Sequence, residues 1–325
     1  MSSQKAAIFD FGTFETKIGF AGDKKPQKTF YSVVDSSNKH GVGDSAEEVR
    51  GRINFIIDNC VVTNWDLMES LITYSFNWLR VKAEDTPVLI TESQFNNRGQ
   101  REKISQILFE TFNIPSLTII SQAYLSLLAT GSETGMVLNI GEGASFAVPI
   151  YESVPSLYAL KKCNISGSKI NEYMFLLDAY GSGGQKTSFK DKDKLFKDKK
   201  NGGHHECMEL LFDPSLSGQS GDSITKVLFD SIMAANIDLR KDLFSNIVLS
   251  GGSTMFDGFP ERIKKEITEM APDDMNVDII AQPDRDQLAW KGGSIFATRP
   301  EYEKLKLSKD EYLDFLGIIH RQFIY

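Results

Sequence analysis

Apolar residues along the chain fall into short runs that stop at glycine and into longer stretches with helical spacing. Ala6-Ala7-Ile8-Phe9-Asp10-Phe11-Gly12 reads as a buried strand ending at an acidic residue and a glycine turn. Thr16-Lys17-Ile18-Gly19-Phe20-Ala21-Gly22 resumes as its hairpin partner. Trp65, Leu67, Met68, Leu71, Ile72, Phe76 and Leu79 share one helix face, as do Ile104, Ile107, Leu108 and Phe112. Helices are therefore expected over 65–80 and 100–112, the first capped by Asn64. Pro87–Glu92 predicts a short buried strand and Gln122–Thr130 an apolar helix.

The opening pattern then returns. Gly135-Met136-Val137-Leu138-Asn139-Ile140-Gly141-Glu142-Gly143 is again an apolar strand running into a polar residue and glycines, and Ser145–Tyr151 is its return strand. Two such units, one opening each half, predict a duplicated domain. Helices over 224–235 and 260–270, strands over 246–250 and 277–281, and a helical, turn-rich stretch from Trp290 onward complete an α/β pattern. Between Gly181 and Gly203 this texture breaks: Lys186–Lys200 is a lysine and aspartate run, expected to be a solvated loop.

A chain of 325 residues, 41% hydrophobic and 25% charged, accommodates two globular lobes. A net charge of -8 argues against general affinity for nucleic acid or anionic membrane. No apolar run approaches the length of a membrane span. The N-terminus lacks a signal-peptide pattern, and three cysteines suit a reducing compartment, so a cytoplasmic location is expected, with the nucleus as the alternative.

The candidate chemistry lies in three glycine turns: Asp10-x-Gly12-Thr13, Asn139-x-Gly141-Glu142-Gly143 and Ser250-Gly251-Gly252-Ser253-Thr254-Met255. Glycine lets backbone N–H groups approach an anion closely, and two such hairpins from opposite lobes would grip a polyphosphate. An acidic side chain beside it can hold a hydrated Mg²⁺. Two look-alikes carry less. Gly183-Gly184-Gln185-Lys186-Thr187 lacks the strand and spacing of a P-loop. His204-His205-Glu206-Cys207 reads as a surface loop, because adjacent residues do not converge on one ion. Trp65 and Trp290 read as core.

In their order, the turns and several other segments resemble the actin superfamily. Phe20-Ala21-Gly22-Asp23, Val62-Thr63-Asn64-Trp65-Asp66, Phe109-Glu110-Thr111-Phe112-Asn113, Val148-Pro149-Ile150-Tyr151-Glu152, Asp238-Leu239-Arg240-Lys241-Asp242-Leu243, Val248-Leu249-Ser250-Gly251-Gly252 and Trp290-x-Gly292-Gly293-Ser294-Ile295 carry the resemblance. It implies the α/β, duplicated two-lobed ATPase fold of the actin/Hsp70/hexokinase type with a central nucleotide cleft. By that resemblance, 1–31, 56–129 and 288–325 form the core of the large lobe and 32–55 its reduced outer subdomain. Residues 130–165 and 220–287 form the second core, and 166–219 a reduced outer subdomain with the charged loop.

The resemblance implies ATP or ADP as ligand, with water-coordinated Mg²⁺. Gly12, Thr13, Phe14 and Lys17 match the first phosphate loop. Gly141, Glu142, Gly143 and Ala144 match the second. Gly167, Gly251, Gly252, Ser253, Thr254, Met255 and Phe256 match the sugar and base side. Asp10, Gln122 and Asn139 match the positions around the metal, and Gln122 also the residue that positions the attacking water. Departures from the pattern are Asn139 for an aspartate, Phe146 for a water-orienting histidine, Phe14 for a glycine and Asp286 for a lysine near the base. They imply nucleotide binding with slow or absent hydrolysis.

Only Lys39, His40 and Gly41 stand where the family has a long loop that docks into the next subunit. The shortfall at 181–203 lies at the same, pointed end. Leu128-Ala129-Thr130-Gly131 and Ile295-Phe296-Ala297 match the barbed-end groove. The expectation is a structural protein that docks by its barbed-end face onto actin or actin-related subunits and homopolymerises poorly. The alternatives are a filament-forming ATPase and an actin-related subunit of a nuclear chromatin-remodelling complex.

Overall fold

The computed structural model describes residues 5–35, 41–43, 53–182, 205–218 and 220–320. The P-loop look-alike, the 186–200 run, His204, Lys39 and His40 lie outside the described residues. The chain divides into two compact units: 1–133 with 152–155 and 287–325, and 134–151 with 156–286.

The first unit is built on a six-stranded sheet ordered Leu307–Ser308, Ser116–Ser121, Val88–Glu92, Ala7–Phe11, Glu15–Phe20, Lys28–Tyr31. Ala7–Phe11 pairs antiparallel with its hairpin partner, Asp10 opposite Lys17, and parallel with Val88–Glu92, Phe9 beside Ile90. Strands in the middle of such a sheet are covered on both faces, which suits their near-continuous apolar runs. Helix Trp65–Leu79 buries Leu67, Met68, Leu71, Ile72, Phe76 and Leu79, and the Asn64 side chain caps it by accepting from Leu67 N–H at 3.1 Å. Trp65 is half-buried against the same core. Helix Arg98–Gln106 ends in one wide turn, Ile107–Thr111, that places Ile107, Leu108 and Phe109 inside.

Helices Gln122–Leu128 and Leu288–Phe296 lie against one another, and glycine makes this possible. A Cβ on Gly292 would sit 1.8 Å from the Leu125 carbonyl oxygen. Trp290 is wholly buried and donates its indole N–H to Ile8 O at 3.1 Å.

The second unit repeats the plan. Gly135–Ile140 pairs antiparallel with Ser145–Tyr151, Asn139 opposite Phe146, and parallel with Ile247–Ser250, Asn139 beside Ser250. Ile279–Ile280 extends one side of this sheet and Lys161–Cys163 the other. Helices Gly167–Ser182, His205–Phe212, Ile224–Ala234 and Phe259–Met270 belong to this unit.

One strand lies where the sequence pattern assigned no element, and three sequence expectations are revised. Ser116–Ser121 is a buried strand. Gly181 and Ser182 end a helix rather than open a loop. His205–Phe212 is a helix with Cys207 buried, because its apolar residues pack into the second core. The strand expected over 277–281 shortens to Ile279–Ile280.

Candidate functional site

One cluster of candidate residues lies in the first unit, at the end of Ala7–Phe11. Gly12 N–H closes the turn by donating to Glu15 O at 3.0 Å, and a Cβ on Gly12 would stand 2.6 Å from that oxygen. Thr13 is half-buried at the tip. The Phe14 ring meets Tyr31 edge-on at 5.1 Å, while its carbonyl accepts from Ser32 N–H at 2.8 Å. Ser32 also donates its hydroxyl to Gly12 O at 2.6 Å, bracing the turn from the neighbouring segment. Lys17 is buried on the return strand, its Nζ 3.7 Å from the Glu15 carboxylate.

Asp10 is buried, and its Oδ1 accepts twice, from Thr91 Oγ1 at 2.5 Å and from Gln122 Nε2 at 3.0 Å. Gln122 Nε2 also lies 3.2 Å from Thr91 Oγ1. The parallel register that sets Phe9 beside Ile90 brings Thr91 to Asp10. Gln122 arrives as the first residue of a helix whose cap, Ser121, accepts from Tyr124 N–H. Three elements thus meet on one carboxylate oxygen.

Another cluster lies in the second unit, at the end of Gly135–Ile140, and uses the same closure, Gly141 N–H to Ala144 O at 2.9 Å. Gly143 and Ala144 are buried. Gly141 O and Glu142 O accept from the backbone N–H groups of Gly167 and Ser168, at 2.8 and 3.0 Å, which docks the helix start onto the turn. Both Glu142 carboxylate oxygens accept from Asn171 Nδ2 at 3.0 Å. A Cβ on Gly167 would stand 2.7 Å from Glu142 Oε2 and 2.8 Å from Ser253 Oγ, so glycine is what lets the helix start, the second turn and the third turn meet.

The third turn follows Ile247–Ser250. Gly251 has φ +96°, and a Cβ there would stand 2.4 Å from Ile140 O. Ser253, Thr254 and Phe256 are buried, whereas Gly252 and Met255 are exposed. Arg285, itself buried, donates through Nη2 and Nε to Thr254 O at 2.7 and 3.2 Å, and Gly251 N–H donates back to Arg285 O at 3.1 Å. Desolvation lowers the Arg285 pKa, partly offset by Asp286, Glu261 and Asp257.

Asp10, Gly12, Thr13, Phe14, Lys17 and Gln122 therefore gather in the first unit. Asn139, Gly141–Ala144, Gly167 and Gly251–Phe256 gather in the second. Sequence reading missed Thr91, Ser32, Asn171 and Arg285, whose roles come from register and packing rather than from a motif. Among the described residues no group of three or more His, Cys, Asp or Glu is placed to hold a metal ion, and no helix is long and apolar enough to cross a membrane.

Each unit opens on a strand with a polar residue next to its end, a glycine turn closed by the same backbone bond, a return strand, and a parallel neighbour beside the polar residue. That is a duplicated α/β protein of the actin-like fold. The family model for actin matches residues 1–201 and 198–323, and the chain belongs to the actin family.

Proposed function

We propose that the chain binds ATP or ADP at its glycine turns and works as a structural, actin-like component with slow or absent hydrolysis. What supports this is the repeated closure of two glycine turns, Gly12 N–H to Glu15 O and Gly141 N–H to Ala144 O, beside Asp10 and Asn139. In this reading, the Gly12–Phe14 and Gly141–Ala144 turns and the Lys17 ammonium take the phosphates. Gly167 and the Gly251–Phe256 turn take the sugar and base.

The donor set suits a water-coordinated Mg²⁺ that rests chiefly on the nucleotide. Asp10 contributes the one carboxylate, with an oxygen already committed to Thr91 and Gln122, while Asn139 and Gln122 offer neutral amide oxygens. Bound there, the ion would offset phosphate charge. Gln122 turns its nitrogen to Asp10, so its oxygen is the end that accepts from a water. Phe146, buried opposite Asn139 where the resemblance expects a water-orienting histidine, has a side chain with no hydrogen-bonding group. Positioning loss of this kind depresses turnover more than binding.

The deciding experiment denatures purified protein, identifies released nucleotide by chromatography, and follows phosphate release over hours. Retained ADP or ATP with negligible turnover supports the proposal. Steady release favours the filament-forming ATPase. Absence of nucleotide, even after incubation with ATP and Mg²⁺, removes the binding reading altogether.

The docking face in this proposal is the barbed-end groove around Leu128–Gly131 and Ile295–Ala297, with actin or an actin-related subunit as partner. A component with one working face terminates or joins an assembly rather than propagating it. Long homopolymers in a pelleting assay with ATP and Mg²⁺ would refute that part. The proposed location is the cytoskeleton, and the alternative as a nuclear remodelling-complex subunit is separated by which assembly co-purifies.

A further inference from the structure

A cavity of about 290 Å³ lies in the first unit, away from the glycine turns. Pro87, Ala297 and Tyr302 supply apolar wall, and Lys5, Lys306 and Glu303 stand around it. Tyr302 is buried, and that burial pushes its hydroxyl pKa up, so the ring is a neutral wall. Lys306 Nζ sits 2.7 Å from Glu303 Oε2 and 5.8 Å from the Tyr302 ring centre. Lys5 is exposed, and the Glu303 side chain is 62% exposed, so these groups mark the solvent side. On a chain of net charge -8, cations outnumber acids here.

We propose that this cavity takes the C-terminal residue of a partner peptide, its large apolar side chain against Pro87, Ala297 and Tyr302 and its α-carboxylate on Lys5 and Lys306. The volume suits one large side chain rather than a longer segment. An internal aspartate or glutamate carries a carboxylate but no large apolar group, and an internal phenylalanine or leucine carries the reverse. A terminal residue joins both through one carbon atom. The Lys306–Glu303 pair is no obstacle, because an exposed ion pair is worth little and yields readily to a second carboxylate. Charge-assisted hydrogen bonds from two ammonium groups then supply the selectivity. This site is independent of nucleotide binding.

The test is a ¹⁹F NMR titration of the full chain with acetyl-glycyl-4-fluorophenylalanine as free acid and as amide. The free acid should show a saturable shift, and the amide should bind about tenfold more weakly or worse. Lys5→Gln with Lys306→Gln should weaken the acid about tenfold and leave the amide unchanged. Ala297→Leu, which fills the cavity, should abolish both shifts while a thermal melt reports the fold. Equal binding of acid and amide, or no saturable shift at millimolar peptide, overturns the proposal. If 3-phenylpropionate binds as tightly as the peptide acid, the assignment to a peptide end falls in favour of a small carboxylic acid.

Discussion

Gln122 Nε2 donates to Asp10 Oδ1 across 3.0 Å, fixing the first residue of a helix to a strand 112 positions earlier in the chain. A carboxylate only accepts, so the amide must present its nitrogen to Asp10 and turn its oxygen the other way. Thr91 adds a donor to the same oxygen, and its own oxygen lies 3.2 Å from the Gln122 nitrogen. The orientation of Gln122 is therefore set before any ligand arrives.

Thr91→Val should remove a buried donor to a carboxylate while keeping the side chain's shape. A cost of about 1–3 kcal/mol is expected, seen as a lower urea midpoint. Thr91→Ser keeps the hydroxyl and should recover most of that loss. If Val and Ser behave alike, the methyl packing of Thr91 matters and its hydroxyl does not.

Asn139 and Phe146 occupy the register in the second unit that Asp10 and Lys17 occupy in the first. Each charged residue of one pair is thus matched by a neutral residue in the other. Phe146→His restores a polar group opposite Asn139 and should raise phosphate release at least about tenfold if water placement limits turnover. The same change puts an imidazole in a buried apolar position and should cost about 1–3 kcal/mol. Lower stability with unchanged phosphate release would point instead to Asn139.

The hairpins were legible in the sequence because each apolar run stops at a polar residue and glycine, a signal contained within about ten residues. Helix Trp65–Leu79 was legible to its cap for the same local reason. Thr91 was not, since its partner lies 81 positions away and only the parallel pairing of Phe9 with Ile90 brings them together. Strand Ser116–Ser121 is buried at every position, so it has no alternation to betray it, and it runs directly into an apolar helix. Helix His205–Phe212 follows a highly charged stretch that masks its start. Which glycines were ordinary and which obligatory also escaped a linear reading, because that depends on what lies opposite.

Gly251 and Gly252 make that contrast testable in one turn. Gly251 combines φ +96° with a carbonyl oxygen 2.4 Å from where a Cβ would stand. Gly251→Ala should therefore cost about 2–4 kcal/mol through backbone strain and overpacking. Gly252 is exposed and has nothing within 4 Å of that position, so Gly252→Ala should stay within about 0.5 kcal/mol of wild type. If the turn faces nucleotide, Gly252→Ala should still weaken ADP retention at unchanged stability. Equal thermal melts for the two variants would contradict the predicted backbone strain.

The pH dependence of stability should carry a contribution from the far end of the first sheet. Ser308 caps helix Lys309–Asp314, and Glu311 Oε2 accepts from Ser308 N–H at 2.9 Å and from its hydroxyl at 2.7 Å. The Ser308 backbone N–H, then its hydroxyl, hold the Glu311 carboxyl below its ordinary value of 4.5. The folded state therefore prefers the ionised form, and the stabilisation is complete above that value. It fades as pH falls through the depressed folded pKa. Glu311 is exposed, so solvent screening keeps the effect small: Glu311→Gln should cost at most about 0.5 kcal/mol at neutral pH and progressively less under acid, as measured by urea unfolding at a series of pH values. Ser308→Ala should cost about 1 kcal/mol at neutral pH, because it removes the acceptor for the helix's first turn as well as the hydroxyl bond to Glu311. A Glu311→Gln deficit that stayed constant from neutral to strongly acid pH would show that the side chain's shape, and not its charge, secures the cap.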